Sequence, residues 1–265
     1  ILKFADRFLL IGDTVNHLLG GEPVAEESLA STTQLFDPAK HDWARPLIRR
    51  LGLPESIFPK VVPSGTVIGT LTEELQSETR LGQVKVVATC SHDTGAAVAA
   101  VPASDDEGWA YLSSGTWSLL GVESPTPVLT EEARNLQFTN EVGYGGTTRL
   151  LKNITGLWIL QECMRFWRES GHEHTYTDLV SMALEAPALV SLINPGDPRF
   201  LRSGGSAASG GMPARIAEYC RETSQPVPGS VGAIARCILE SLSLLYRKSL
   251  SELEQLTDKP INRLH

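Results

Sequence analysis

Two polar stretches of the chain carry the residues that could do chemistry. The first, Cys90-Ser91-His92-Asp93-Thr94-Gly95, places one carboxylate between a histidine and a threonine. The second, residues 112–118, reads Leu-Ser-Ser-Gly-Thr-Trp-Ser and joins two strand-like runs. A carboxylate can accept a proton from a bound hydroxyl, and a glycine beside a threonine lets backbone and hydroxyl donors approach a phosphate. The two stretches together suggest a base facing a phosphate-binding turn.

Each stretch also has a purely structural interpretation. Asp93 or Thr94 can cap the following helix, and His92 can be a partly buried histidine with satisfied hydrogen bonds. Three consecutive polar groups after an apolar strand nevertheless favour ligand contact at residues 92–94. For Gly115 and Thr116 the alternatives stay level, because a tight hairpin needs the same residues and no Walker-type Gly-Lys-Ser/Thr accompanies them.

Two amides further along the chain are weaker candidates. Asn153 and Gln161 are eight positions apart and would share roughly one helical face if both were helical. Solvent-facing amides beside a core helix are the simpler interpretation of this spacing.

The elements around the first stretch predict how it is held. The run Val84–Ala88 is rich in β-branched residues and predicts a buried strand, with the polar cluster at its carboxyl end. Ligands of open α/β sheets bind outside such ends. Residues 95–101 predict a helix that begins at Thr94 or Gly95, and Pro102 closes it.

The rest of the chain alternates helical and extended patterns. Apolar spacing predicts helices at residues 2–19, 42–51, 157–167, 176–185 and 234–253, and Thr175 with Asp178 forms a capping-box pair. Strands are predicted at residues 109–112, 117–122 and 148–152, with extended chain at 58–71 and a further strand beginning at Ile261. Residues 26–36 suggest a solvated connection or short helix, and residues 194–213 a long loop. The order predicts an α/β protein.

Composition limits the class of partner. With 265 residues and 42% hydrophobic content, the chain can bury one large or two modest cores, and its length favours two lobes. The formal net charge of -8 argues against nucleic-acid or anionic-membrane surfaces. No apolar run reaches the roughly 18 residues that span a bilayer, and the first residues do not resemble a signal peptide. We expect a cytoplasmic protein with small-molecule or protein partners.

The four cysteines predict free thiols rather than a metal cluster. They contain no CxxC pair and no histidine at zinc-like spacing. Cys220 and Cys237 flank a Pro-rich turn that can bring them within bridging distance, although a reducing compartment opposes a disulfide. An acidic turn at residues 104–108 suggests a lobe boundary.

Several ordered motifs carry a resemblance that covers nearly the whole chain. They are Ala30-Ser-Thr-Thr-Gln-Leu35, Gly65-Thr-Val-Ile-Gly69, residues 90–94, residues 111–118, Leu151-Lys-Asn-Ile154, Gly156-Leu-Trp158 with Gln161, and residues 220–228. The set resembles the FGGY family of carbohydrate kinases, in particular its rhamnulokinase group. The resemblance implies a two-lobed, actin-like and ribonuclease-H-like α/β fold, with residues 1–104 in the sugar-binding lobe and 105–265 in the nucleotide-binding lobe.

The same resemblance assigns roles to the candidate residues. It implies that Asp93 is the catalytic base for the primary hydroxyl of L-rhamnulose. His92, Thr94 and Asn153 match sugar-contacting positions of the family. The nucleotide-contacting positions match Gly115, Thr116 and Gln161, and the implied cofactors are ATP and Mg²⁺.

The chain also departs from the family pattern. The Asp-Gly-Thr-type phosphate motif near the amino terminus and the Gly-Gly-Gly adenine motif are absent from the sequence. We therefore expect a fragment of a longer kinase, incomplete at both ends of the fold, inactive by itself and without an assured protein ligand for Mg²⁺. Fuculose, xylulose and ribulose remain alternative substrates, and a noncatalytic actin-like binding module is the alternative class.

Overall fold

The computed structural model describes residues 2–104, 108–203 and 210–265. Most of the acidic turn at 104–108 and part of the predicted loop at 194–213 lie outside the described residues. The described α-helices are α1 (Ile11–Leu18), α2 (Glu27–Ala30), α3 (Arg45–Arg50), α4 (Glu73–Thr79), α5 (Asp93–Ala99), α6 (Glu131–Asn135), α7 (Trp158–Glu169), α8 (Tyr176–Glu185), α9 (Gly211–Glu222) and α10 (Val231–Thr257). Of these, none is both long and apolar enough to pass through a bilayer.

The strands form one larger sheet and three strand pairs within the described ranges. They are β1 (Ala25–Glu26), β2 (Phe36–Asp37), β3 (Asp42–Trp43), β4 (Val61–Val62), β5 (Thr66–Thr70), β6 (Lys85–Ala88), β7 (Trp109–Ser114), β8 (Ser118–Ser124), β9 (Thr139–Val142), β10 (Thr148–Ile154) and β11 (Arg263–Leu264). The larger sheet has the order β11-β7-β8-β10-β9. Strands β1 and β4 pair in parallel, whereas β2 with β3, β5 with β6, and β9 with β10 pair antiparallel.

Contacts divide the chain into two compact units. The first contains Ile1–Trp109, Gly121–Leu151 and His265, and the second contains Ala110–Leu120 and Lys152–Leu264. A buried aromatic cluster in the first unit includes Trp43 and Phe58, whose rings meet edge to face, with Phe36 and Ile48 beside them. A smaller cluster of Val24, Val62, Ile68, Val86 and Ala88 packs under β5 and β6.

In the second unit, helices pack along their apolar faces. Helix α8 packs on α10, and α7 packs on α9. The Thr175 hydroxyl accepts from the Asp178 N–H while the Asp178 carboxylate accepts from the Thr175 N–H, which confirms the predicted capping box and the bounds of α8. Ser230 caps the 27-residue α10 by accepting from the Ala233 N–H, and Lys152 of β10 forms an ion pair with Glu252 of α10.

The amino-terminal prediction of one helix over residues 2–19 is wrong. A 3₁₀ turn occupies Leu2–Phe4, and α1 begins only at Ile11. The apolar side chains of Ile11 and Leu18 are exposed, whereas Asp13 is buried. Gly12 explains this orientation, because a Cβ there would lie 3.2 Å from the Cβ of Ser91, so the glycine side of α1 packs inward.

Two other sequence predictions need correction. Residues 42–51 form β3 followed by a shorter α3, with Pro46 in its first turn, where its missing N–H costs nothing. The strand at 84–88 is present as β6, yet it pairs with β5 in an antiparallel two-stranded sheet instead of an open parallel one. Residues 26–36 contain the short helix of the two predicted alternatives, α2, and do not form a solvated connection, because Glu26, Ser28 and Ala30 are buried.

All four cysteines are free thiols, as the sequence predicts. Cys220 and Cys237 lie in α9 and α10, both are buried, and each thiol influences the pKa of the other. The Pro-rich turn thus brings the two sulfurs together without a bridge between them.

Candidate active site

The candidate base stands at the start of α5 in the first unit. Asp93 is the first residue of this helix, one residue earlier than predicted, and its side chain is 97% exposed. Its Oδ1 accepts from the N–H of Thr94 at 2.7 Å, while the side chain of Thr94 is buried. The carboxylate is thus fixed at its base and open to a ligand.

The imidazole of His92 lies beside this carboxylate. Its Nε2 is 3.8 Å from Asp93 Oδ1, and its side chain is 19% exposed. Its Nδ1 points away from Asp93, 3.0 Å from Nη2 of Arg149 and 3.1 Å from Oε2 of Glu141. His92 occupies the position before α5 without capping it, so its ring is held by Arg149 instead of by the helix.

A buried carboxylate holds the backbone of the same loop. Glu26 is 0% exposed and accepts from the N–H of Ser91 at 3.2 Å. It also accepts from the N–H and hydroxyl of Ser28 and from the hydroxyl of Ser64. The Ser28 hydroxyl in turn accepts from the N–H of His92 at 3.3 Å. Glu26 therefore fixes the two residues that precede Asp93.

Gly95 is closely packed against Cys90 and Arg149. A Cβ on Gly95 would lie 2.6 Å from the sulfur of Cys90 and 3.2 Å from Nη2 of Arg149. Burial raises the pKa of the Cys90 thiol above its ordinary value, and the Glu26 carboxylate acts in the same direction. The thiol is therefore a packing group rather than a nucleophile.

The second group of candidates lies in the second unit, where the β7–β8 hairpin meets the start of α7. The carbonyls of Gly115 and Thr116 accept from the N–H groups of Leu157 and Trp158 at 2.9 and 3.1 Å. The Gly115 N–H is used within the hairpin, donating to Trp117. Thr116 is exposed at this hairpin.

Gln161 and Asn153 occupy different kinds of element. Gln161 is in the first turn of α7, and its Nε2 donates to the hydroxyl of Tyr176 at 3.1 Å. Asn153 is exposed near the end of strand β10, so the suggestion of one shared helical face is wrong. Strand β10 ends at Ile154 and α7 begins at Trp158, which separates the two amides.

The described residues contain no cluster of three or more His, Cys, Asp or Glu side chains that could hold a metal ion. Mg²⁺ in kinases is commonly held by one or two carboxylates together with substrate phosphates, so such a cluster is not required. Asp93 is the exposed carboxylate of the first group.

Sequence reasoning missed three charged residues of the site, namely Glu26, Glu141 and Arg149. Glu141 and Arg149 are direct cross-strand partners on β9 and β10. The sequence signal was Arg149 itself, the one cation of the apolar-rich Thr148-Arg149-Leu150-Leu151 run, in a predicted strand. Charged residues in such strands are rarely buried without a partner.

Comparisons with known proteins identify the family of the chain. The FGGY family of carbohydrate kinases matches through its N-terminal domain at residues 1–100 and its C-terminal domain at residues 110–265. Among curated relatives, the rhamnulokinase of Bacteroides thetaiotaomicron is 46% identical over 264 residues, covering 100% of this chain and 52% of that protein. Those of Enterococcus faecalis and Bacillus subtilis are 39% and 36% identical, again over 100% of this chain and 52% and 53% of theirs.

Solved structures show the same fold. A gluconate kinase from Lactobacillus acidophilus matches with a TM-score of 0.69 and 18% identity, over 98% of this chain and 51% of its own. A xylulose kinase from the same organism matches with a TM-score of 0.66 and 17% identity, over 94% and 48%. The chain thus spans about half the length of these proteins. Because both domains of the family match along nearly all of it, the chain belongs to the FGGY family of carbohydrate kinases.

Proposed function

We propose that the protein carrying this chain transfers the γ-phosphate of ATP to the 1-hydroxyl of L-rhamnulose, with Asp93 as the general base. The observation that carries the proposal is the exposed Asp93 carboxylate beside the imidazole of His92, on a loop fixed by the buried Glu26. The rhamnulokinases at 36–46% identity support L-rhamnulose as the sugar.

On the sugar side, Asp93 takes the proton of the 1-hydroxyl as the oxygen attacks the γ-phosphate in line. His92 and Thr94 hold neighbouring hydroxyls, and Asn153 contributes from β10. A general base supplies about 10²- to 10⁴-fold of rate, and phosphoryl transfer depends otherwise on alignment and charge neutralisation. The fixed backbone of residues 91–93 contributes to alignment because it limits where the carboxylate can move.

On the nucleotide side, we propose that Thr116 donates its hydroxyl to a phosphate oxygen and that Gly115 lets the nucleotide approach the hairpin. A Cβ at Gly115 would have only the Trp117 carbonyl within 4 Å, at 3.6 Å, so the turn has room for a ligand. Gln161 contacts the nucleotide from α7. Mg²⁺ would supply charge neutralisation on the phosphates.

The lobe assignment belongs to the same proposal, with residues 1–104 in the sugar-binding lobe and residues 105–265 in the nucleotide-binding lobe. A cytoplasmic location accords with four free cysteines, since reducing compartments keep thiols unpaired.

The decisive experiment replaces Asp93 by Asn in the protein that carries this chain. With L-rhamnulose and ATP in a coupled ADP-release assay, we expect kcat to fall at least about 100-fold, because the amide cannot accept the proton. Asp6→Asn is the matched control, since its side chain is 90% exposed in the same unit. It should keep full activity.

Full kcat in Asp93→Asn would reject the base assignment. A panel of fuculose, xylulose and ribulose separates the possible sugars. Absence of turnover with every ketose would favour a noncatalytic binding module. The same assay on residues 1–265 alone tests the expectation that this stretch is inactive by itself, which robust turnover would contradict.

A further inference from the structure

A fully buried cross-strand ion pair lies behind the imidazole of His92. Arg149 is 0% exposed, and its Nη2 is 3.0 Å from Oε2 of Glu141, its direct partner across β9 and β10. Burying two charges is costly, and an apolar pair of similar size often serves stability equally well. The presence of this pair beside a candidate site therefore suggests a role other than packing.

The hydrogen bonds of Arg149 point to that role. Its Nε and Nη1 have no hydrogen-bond partner among the described residues. Its Nη2 donates to Nδ1 of His92 at 3.0 Å and more distantly to the carbonyl of Val142 at 3.4 Å. Gly95 leaves the space that Nη2 needs, since a Cβ there would lie 3.2 Å away.

The direction of the Arg149 bond determines the imidazole tautomer. A guanidinium donates and never accepts, so Nδ1 of His92 must be the acceptor and carry no proton. Glu141 Oε2 is 3.1 Å from the same nitrogen but makes no hydrogen bond in the described structure. The proton of the neutral ring is therefore on Nε2, the nitrogen that faces Asp93 Oδ1 at 3.8 Å.

We propose that Arg149, held in place by Glu141, is a positioning residue that fixes His92 as the Nε2–H tautomer and thereby presents a hydrogen-bond donor next to Asp93. That donor is directed at an oxygen of the bound sugar, where an acceptor nitrogen would compete with Asp93 for the same hydroxyl proton. The inference deepens the proposed function and rests on it for the identity of the ligand, whereas the tautomer itself does not depend on any reaction.

The first experiment measures the tautomer without any substrate. Long-range ¹⁵N–¹H correlation spectra of the ¹⁵N-labelled protein distinguish protonated from unprotonated ring nitrogens, and His92→Gln identifies the His92 signals among those of the six histidines. We expect Nε2–H in the unmodified protein. In Arg149→Met we expect a change to Nδ1–H, because Glu141 Oε2 then becomes the nearest partner of Nδ1. Glu141→Gln should keep Nε2–H.

The second experiment separates positioning from general stability by steady-state kinetics. Arg149→Met should raise the KM for L-rhamnulose about three- to tenfold, because the hydrogen bond from the neutral imidazole to the sugar is worth about that factor, and should leave the KM for ATP within about twofold. In a His92→Gln background, the same substitution should add less than about twofold, because the two residues act through one bond.

The controls use a pair of the same chemistry on the surface. Arg134 and Glu131 form an exposed ion pair in the same unit, so Arg134→Met and Glu131→Gln should change neither the spectrum nor the kinetics. The double variant Glu141→Gln/Arg149→Met leaves no unpaired buried charge. It provides a folded comparison, verified by thermal melting, if Arg149→Met alone is unstable.

The possible outcomes are distinct. Nδ1–H or a doubly protonated His92 in the unmodified protein overturns the proposal, and so does an unchanged tautomer in Arg149→Met. Additive kinetic effects of Arg149→Met and His92→Gln refute the positioning role. If the tautomer changes in Arg149→Met but the unmodified protein phosphorylates no sugar, the control of His92 by Arg149 is supported and the kinase function is rejected.

Discussion

Asp13 offers a quantitative test of how the first unit tolerates buried charge. Its side chain is 2% exposed in the first turn of α1, and its Oδ1 accepts from the N–H of Glu26 at 3.0 Å. Its Oδ2 has no hydrogen-bond partner among the described residues. Burial raises the pKa of this carboxyl from 3.8 to about 6, the charge of Glu26 adds to the effect, and backbone hydrogen bonds oppose it.

The raised pKa determines how Asp13 changes the stability of the first unit with pH. Between pH 3.8 and about 6 the folded chain holds a proton that the unfolded chain has lost, so this group's contribution to stability decreases as the pH rises. A difference of about two pKa units corresponds to roughly 3 kcal/mol, and Asp13→Asn should recover about 1 to 2 kcal/mol of it, because the amide that replaces the carboxylate is also buried. Asp13→Asn removes the charge and keeps the acceptor for Glu26.

We therefore expect Asp13→Asn to be more stable than the unmodified protein by about 1 to 2 kcal/mol at pH 7.5, with the difference vanishing near pH 4. Urea unfolding, monitored by tryptophan fluorescence between about pH 4 and pH 7.5, measures this difference in the free energy of unfolding. Burial also raises the pKa of Glu27, so the difference between the two proteins, not the profile of either, isolates Asp13. Parallel stability curves, or a less stable variant at pH 7.5, would refute the reasoning.

Two further predictions concern the second unit. A Cβ on Gly156 would collide with the Ser118 hydroxyl and lie 2.7 Å from the Gly115 carbonyl, so Gly156→Ala should cost about 2 kcal/mol and raise the KM for ATP. Gly229→Ala, which meets nothing within 4 Å, is the control in thermal melting and kinetics, and equal behaviour of the two variants would reject the collision. Burial raises the pKa of Cys237 to about 12 and that of Cys163 even further, so Ellman's reagent should label at most one of the four cysteines before unfolding and all four in urea. Fewer than four in urea would reveal a disulfide.

The local signals in the sequence predicted local structure well. The Thr175–Asp178 capping box gave the bounds of α8, and the small residues at 113–116 gave the β7–β8 hairpin. Both depend on contacts between residues at most four positions apart, which a single sequence displays directly. The long amphipathic pattern gave α10 for the same reason.

The partners of the candidate base could not be predicted in this way. Glu26 is 65 positions from Ser91, and Arg149 is 57 positions from His92. In the sequence Glu26 looks like one more polar residue of a hydroxyl-rich connection, and only the fold surrounds it with donors. Periodicity also failed for α1, because the close approach at Gly12 outweighed the apolar stripe of that helix.

The unpredicted partners of the candidate base and the wrong prediction for α1 have one physical origin. The first unit packs its polar interior against glycines, so that Gly12 admits Ser91 to α1 and Gly95 admits the guanidinium of Arg149 to α5. Because glycine has no side chain, backbone and charged groups can approach closely enough at these two positions to form hydrogen bonds. Hydrogen bonds to its backbone and to the ring of His92 hold the loop that carries Asp93. A base that must meet a hydroxyl in line benefits from this rigidity, because an error of about 1 Å in its position can cost about 100-fold in rate. Larger residues at either glycine should therefore impair catalysis more than their effect on stability alone predicts.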